Sequence, residues 1–257
     1  MGEILNWKSN CRIVLVQPKF AGNIGMTARA MANFGFSNLY LVDPLANHHD
    51  IQATMMAREA THILRDAKVV ATLQEAIAAT HYVIGTSGKI SRNEADQPSP
   101  TPKWVVGHLE SQFPSGCGLA ILFGSETDGL TKDHLQYCQQ RMLIPTVAEH
   151  PSMNLGQAVG VCLYELSQIR WHSLPTLAPN QQNSATIADI ERLVQVFEQS
   201  LRRTTSKWDG HHVQNIIALR QLLAKASLQK KELQALYQIA RTLERLVELG
   251  GAADSPE

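Results

Sequence analysis

Residues 120–166 read AILFGSETDGLTKDHLQYCQQRMLIPTVAEHPSMNLGQAVGVCLYEL. A buried apolar run, Leu119 to Phe123, stops at Gly124, and a polar loop carrying Gly129 follows. A short amphipathic segment then leads to a second apolar run, Met142 to Ile144, closed by Pro145. The next loop ends in Pro151-Ser152-Met153-Asn154, after which apolar positions at Leu155, Ala158 or Val159, Cys162, Leu166 and Ile169 take helical spacing. Two strands therefore end in loops rich in Gly, Pro, Ser and Asn. In a parallel sheet, ligands sit at such carboxyl ends.

Outward from this stretch the chain alternates. Arg12 to Val16 reads as a buried strand, and Asn23 is a plausible N-cap for a helix from Ile24 to Asn33 stopped by Gly35. Asn38 to Val42 is the next strand. Strand, helix and strand within about thirty residues make one right-handed crossover unit. The pattern repeats with a helix from Ile51 to Leu64, a strand from Lys68 to Ala71, a helix from Leu73 to Ala79 and a strand from His81 to Gly85. Thr86-Ser87-Gly88 then forms a third small-residue loop, followed by a long Pro-rich polar loop and a helix from Lys103 to Gln112. This is an α/β fold with a mainly parallel sheet covered on both faces. A Pro/Asn/Gln-rich linker at 173–185 closes the first domain, 1–172. Helices at Thr186–Leu201, His212–Ala226 and Leu228–Leu249 form a C-terminal extension over 186–249, and 250–257 reads as a disordered tail.

Composition narrows the function. The chain has 257 residues, 44% of them hydrophobic, and no apolar run approaches a bilayer span. The N-terminus lacks a signal-peptide pattern, so a cytoplasmic protein is expected. Cys11, Cys117, Cys138 and Cys162 form no CxxC pair and no His cluster has zinc spacing, so no metal is expected. Net charge is zero, which excludes a global argument for nucleic-acid binding. Locally, Leu201 to Lys231 carries seven Lys/Arg, including Arg202, Arg203, Lys207 and Arg220, against one acid, Asp209. That is a basic patch or a solvated helix face.

The loops exclude two familiar chemistries. The nearest approach to a dinucleotide fingerprint, Gly22-Asn23-Ile24-Gly25, is too short, and no Walker lysine follows a glycine loop. Ser87 lies in Gly85-Thr86-Ser87-Gly88, which is not a nucleophile elbow, and Ser152 has no evident His partner. What remains is three loops of small neutral residues, suited to a nucleoside-type ligand held through the main chain or to ordinary turns.

Three motifs carry a family resemblance. They are Gly22-Asn23-Ile24-Gly25 with Ala28-Arg29-Ala30-Met31, then Leu122-Phe123-Gly124-Ser125-Glu126-Thr127-Asp128-Gly129-Leu130, then Ile144-Pro145 with Ser152-Met153-Asn154-Leu155. In that order the chain resembles the SPOUT superfamily of S-adenosylmethionine-dependent RNA methyltransferases, within it the TrmH/TrmJ branch of ribose 2′-O-methyltransferases. Val42-Asp43-Pro44 and the segment Asn215–Leu223 with Leu228 and Glu232 point to the TrmJ side.

The resemblance implies a SPOUT-type knotted α/β fold, a homodimer and a tRNA substrate, methylated on the ribose of nucleotide 32, C or U. An rRNA target on the same scaffold, or a non-catalytic RNA-binding protein, are the alternatives. It further implies cofactor contacts from Thr86, Ser87, Gly88, Gly124, Ile144, Pro151, Ser152, Met153 and Asn154. Arg29, Asn23, Ser152 and Glu126 take the catalytic positions. Lys89 and Arg92 match RNA-contacting arginines with altered spacing, joined by Arg202, Arg203, Lys207 and Arg220 in the extension. Ser125 stands where close relatives often carry Arg or Pro.

Overall fold

A computed structural model describes residues 7–88, 100–112, 117–169, 183–204 and 209–253. The chain divides into two compact units, Met1–Ala178 and Pro179–Glu257.

In the first unit six strands form one sheet: β1 Cys11–Val16, β2 Asn38–Val42, β3 Lys68–Val70, β4 Tyr82–Ser87, β5 Leu119–Phe123 and β6 Gln140–Leu143. Their order is β3-β2-β1-β5-β4-β6 and every pairing is parallel. The central strand β5 is buried along its whole length, which is why its sequence is a continuous apolar run. The edge strands are polar: β3 exposes Lys68, and β6 carries Gln140 and Arg141. Cys11, Ile13 and Leu15 of β1 join one core with α1 (Ala21–Phe34) and α7 (Leu155–Ser167). The intervening Arg12 donates to the Ala76 carbonyl of α4 (Leu73–Ile77), 2.6 Å away, so α4 covers the opposite face.

Helix α1 is the hub of its layer. Ile24, Ala28 and Met31 are fully buried and face the sheet, each side chain contributing about 1.5–3 kcal/mol for the larger ones. Gly35 ends the helix at φ +78°, a left-handed cap that glycine adopts without strain. Two close approaches flank it. A Cβ on Gly25 would lie 2.1 Å from the Ala53 carbonyl of α2 (Ile51–Ala57). One on Gly156 of α7 would lie 2.6 Å from the Met26 Cβ. The first motif's second glycine therefore packs helices and does not approach a ligand.

Several expectations are corrected. Asn23 is not the N-cap; the helix begins at Ala21 with Phe20 as cap, and Asn23 lies in the first turn. The helix from Ile51 to Leu64 is broken, because Arg58 adopts φ +55° and a 3-10 turn, Arg58–Ala60, separates α2 from α3 (Thr61–Arg65). Thr86 and Ser87 are not loop residues but the last pairs of β4, opposite Met142 and Leu143. Ile144 lies just beyond β6. All four cysteines are buried and free. The remaining helices of this unit are α5 (Pro102–Gln112) and α6 (Lys132–Leu135).

The second unit holds α8 (Ile187–Thr204), α9 (Gly210–Lys225) and α10 (Lys230–Ala253) around Ile190, Leu193, Val194, Ile216 and Leu223. Asp209 caps α9 by accepting from the His211 and His212 amides. Ser184 and Ala185, expected in the linker, belong to this unit: Ser184 pairs with Gln229 and Ala185 is buried in its core. Residues 250–253, expected to be disordered, continue α10, while 254–257 lie outside the described residues. No helix among the described residues is long and apolar enough to cross a membrane.

The glycine geometry gives a paired test. Gly25→Ala is expected to lower unfolding free energy by about 1–3 kcal/mol through overpacking. Gly107→Ala, on the open side of α5 where an added Cβ meets nothing, raises it by up to about 1 kcal/mol. Urea midpoints measure both; equal midpoints for the two variants would show that α1 and α2 slide apart freely.

Candidate active site

Strands β1, β5, β4 and β6 are neighbours and parallel, so their carboxyl ends share one edge of the sheet. At that edge β1 leads into Lys19-Phe20, β5 into Gly124–Gly129, β4 into Gly88 and β6 into Ile144. Between β1 and β5 the chain's connections diverge, the position where α/β sheets open a crevice.

Glu126 occupies that position. One carboxylate oxygen accepts from the Lys19 amide at 2.9 Å; the other accepts from the Asn23 side-chain amide at 2.7 Å and the Phe20 amide at 3.3 Å. Phe20 has no side chain able to cap a helix, so a carboxylate from a loop about a hundred residues away supplies the missing acceptor. Asn23, 8% exposed, then accepts from the Asn154 side-chain amide at 2.9 Å. Asn154 in turn caps α7 by accepting from the Gln157 amide at 3.3 Å. Glu126, Asn23 and Asn154 thus form one chain of side chains that locks the β5 loop to the N-termini of α1 and α7.

The β5 loop is itself a tight turn. The Ser125 carbonyl accepts from the Gly129 amide at 2.9 Å, and Gly129 takes φ +68°. A Cβ on Gly124 would stand 2.0 Å from the Gly129 carbonyl carbon, so only glycine fits there. Ser125 is 8% exposed and its hydroxyl accepts from the Asp128 amide at 3.3 Å, which makes it a staple of this turn. The Thr127 hydroxyl, and after it the Lys19 ammonium 3.1 Å away, hold the exposed Asp128 carboxyl below its usual range.

The other expected residues fall into two groups. Thr86 donates its hydroxyl to the Leu122 carbonyl at 2.8 Å, so its side chain ties β4 to β5 and only its main chain faces outward. Ile144 is half-buried against the core. Pro151 and Ser152 are exposed, Met153 is half-buried, and the Pro151 carbonyl accepts from the Thr146 hydroxyl at 3.1 Å, closing the loop after β6. These strand ends carry no charged side chain from Thr86 to Gly88, at Ile144-Pro145 or from Pro151 to Asn154. They suit a planar, uncharged group held by main-chain donors and acceptors against an apolar wall.

Arg29 stands apart. It is exposed and makes no hydrogen bond or ion pair among the described residues. Six residues separate it from Asn23, about 9 Å along the helix axis, so the two are not brought together within this chain. Lys89, Arg92 and Lys207 lie outside the described residues.

In the extension, Arg202 pairs with Glu198 at 2.8 Å and Arg203 with Glu244 at 3.0 Å. Arg220 pairs with Glu191 at 2.7 Å and is only 11% exposed, which corrects its expected place as a surface contact to RNA. Sequence reasoning missed Lys19 and the link from Asn154 to Asn23, since contacts 131 residues apart leave no local signal. It also missed a separate open cleft of about 290 Å³ beyond β1–β3, lined by Gln17, Asp43, Thr72, Gln74, His134 and Tyr137.

The site is thus a parallel sheet with neutral loops at one edge, locked by a Glu-Asn-Asn chain. Residues 10–164 match the SpoU rRNA Methylase family, and the chain belongs to that family. It is 34% identical over 244 residues to a tRNA (cytidine/uridine-2′-O-)-methyltransferase TrmJ of Pectobacterium atrosepticum, covering 92% of this chain and 97% of the relative. The enzyme of the same name from Sodalis glossinidius is 36% identical, covering 91% of each chain. Among solved structures, TrmJ from Z. mobilis superposes with a TM-score of 0.76 at 29% identity, covering 91% of this chain and 98% of that one.

Replacing Glu126 by Gln turns an all-acceptor group toward three donors. Glu126→Gln is expected to cost about 1–3 kcal/mol of stability, whereas Asp128→Asn, in an exposed pair, leaves the melting midpoint nearly unchanged. Thermal unfolding of the two variants separates them; an unshifted midpoint for Glu126→Gln would mean that the clamp anchors nothing.

Proposed function

We propose that the chain methylates the 2′-hydroxyl of a tRNA ribose, at C or U of nucleotide 32 in the anticodon loop, with S-adenosylmethionine as methyl donor. The observation that carries this is similarity to TrmJ enzymes along more than nine-tenths of both chains, 92% and 97% for the Pectobacterium relative. When bound, the cofactor supplies an electrophilic methyl group. The neutral strand-end loops fit it: Thr86 to Gly88 and Pro151 to Asn154 offer main-chain groups, and Ile144 offers an apolar surface for the adenine.

Positioning supplies much of the rate for such a transfer. Arg29 cannot serve as a base, because a guanidinium keeps its proton. Its task is electrostatic: it holds the phosphate beside the target ribose and lowers the cost of the developing alkoxide, leaving a phosphate oxygen to take the proton. Ser152, exposed in the loop before α7, takes the position assigned to the ribose contact. Glu126 and Asn23 act as positioning residues, since their polar atoms are engaged with Lys19, Phe20 and Asn154.

Two finer features belong to the same reading. The first is the knot. The Leu143 amide donates to the Pro100 carbonyl at 2.9 Å, and a Cβ on Gly88 would meet the Pro151 carbonyl at 3.8 Å. These approaches of β6 to Pro100, and of the loop before α7 to Gly88, support that reading. The second is a homodimer. Arg29 without a partner among the described residues, and Val161 (36% exposed) and Tyr164 (53% exposed) on α7, support a site completed by a second copy.

A second reading, methylation of rRNA, is favoured by the description of the matched family. Incubation with labelled cofactor and unmodified tRNA or rRNA, followed by nuclease digestion and mass spectrometry, decides between them. Label on a 2′-O-methylated nucleotide of tRNA is expected; label in rRNA alone overturns the tRNA reading. Arg29→Ala is expected to lower kcat at least about a hundredfold, with cofactor affinity by calorimetry changed little. Arg29→Lys at near-full activity would remove the planar, two-pronged role assigned to the guanidinium.

A further inference from the structure

Trp104 lies on α5, outside every feature the reaction uses. It is 49% exposed, and its ring stacks on His108 one turn later, with centroids 5.0 Å apart and planes 10° from parallel. Nε2 of His108 is held in turn by the Tyr82 hydroxyl at 3.5 Å. Val105 and Leu109 bury the opposite side of α5 in the core, so the helix cannot roll. The result is an indole fixed in one orientation and half left to water.

The direction of its open face follows from helix geometry. Side chains lean toward the N-terminus of their helix, and His108 covers the indole from the C-terminal side. The uncovered face therefore looks past the start of α5. That start is pinned to the ligand edge of the sheet. The Thr101 hydroxyl caps the helix by accepting from the Trp104 amide at 3.3 Å, and the Pro100 carbonyl accepts from the Leu143 amide at 2.9 Å, one residue before Ile144. Trp104 thus stands within about one helical turn of the loop that leaves β6. Lys103, exposed beside it, adds a cation for a phosphate.

We propose that Trp104 is a platform on which an unpaired nucleobase of the RNA substrate stacks, backed by His108 and flanked by Lys103. This rests on the reading of the chain as an RNA methyltransferase. Every base has a flat π-face, so an aromatic platform grips a single-stranded segment without reading its sequence. A rigid, backed ring loses little conformational freedom when it binds. It would hold nucleotides beside the target in place while Arg29 and the strand-end loops do the chemistry.

The test is steady-state methylation of unmodified tRNA by the full chain. Trp104→Ala is expected to raise KM for tRNA about tenfold, with kcat within about twofold and cofactor affinity unchanged. Trp104→Phe keeps KM within about threefold, and His108→Ala falls between. Because Trp104 is half exposed, its variants are expected to melt close to the parent. A second measurement reads the ring directly. A short single-stranded oligonucleotide should quench intrinsic fluorescence in the parent protein, and the quench should vanish in Trp104→Phe.

A Trp104→Ala variant with unaltered KM overturns the platform. So does one whose oligomeric state by light scattering changes while RNA affinity holds, since the ring would then face a protein. Failure of the parent to methylate tRNA sinks the functional reading instead; oligonucleotide quenching lost in Trp104→Phe would still uphold the platform.

Discussion

The Glu126 carboxylate at the N-terminus of α1 is the contact on which the candidate site depends. Two backbone amides, from Lys19 and Phe20, and one side-chain amide, from Asn23, converge on its two oxygens. A carboxylate only accepts, and the first turn of a helix only donates, so the match allows no alternative orientation. Charge-assisted hydrogen bonds of this kind, together with the helix dipole, offset the cost of drawing the carboxylate out of water. Mechanically, the bonds join the end of β5 to the end of β1 across the sheet's point of divergence. Asn154 extends the lock to α7. The strand ends that would hold a cofactor are therefore fixed relative to one another by the side chains of Glu126, Asn23, Asn154 and Thr86.

That arrangement explains why the ligand edge is neutral. Charges near it are paired internally, Lys19 with Asp128 and Glu126 with the helix terminus. Glycines sit where backbone meets backbone: Gly124 against Gly129 and Gly25 against Ala53. The small residues of the first two motifs thus serve packing and turn formation first. The exposed cation Arg29 stands in a different place on α1 and makes no hydrogen bond or ion pair among the described residues.

The alternation of strands and helices was legible because parallel central strands are buried on both faces, and Ile13–Val16 of β1, Leu39–Val42 of β2 and all of β5 appear as apolar runs. Element ends were less legible. Asn23 has the composition of an N-cap, and only the distant Glu126 explains why Phe20 takes that place and Asn23 turns inward. The break at Arg58 was invisible for a related reason: its φ of +55° belongs to no residue preference and is imposed where α2 packs on α1. Thr86 and Ser87 read as loop because small polar residues favour turns, yet β6 arrives from beyond position 139 and pairs with them. The family resemblance put Glu126, Asn23 and Asn154 among the expected site residues. It did not reveal that they bind one another, since hydrogen bonds spanning 103 and 131 residues have no periodicity to betray them.

The basic extension shows the same limit from the opposite side. Its sequence displays seven cations against one acid, but the acids that neutralise it lie outside that window. Glu198, Glu191 and Glu244 reach back from α8 and α10 to Arg202, Arg220 and Arg203. Glu244 is 6% exposed and holds Arg241 as well, at 2.7 Å. Removing one member of the buried Arg220–Glu191 pair strands the other charge, so Arg220 serves the extension's fold, whereas the half-exposed Arg202 and Arg203 are held more weakly. Lys225 and Lys231 differ: both are exposed and make no ion pair among the described residues. Phosphate neutralisation requires cations that do not first break a protein pair. In this window the exposed lysines at the end of α9 and the start of α10 thus escape the pairing that holds Arg202, Arg203 and Arg220.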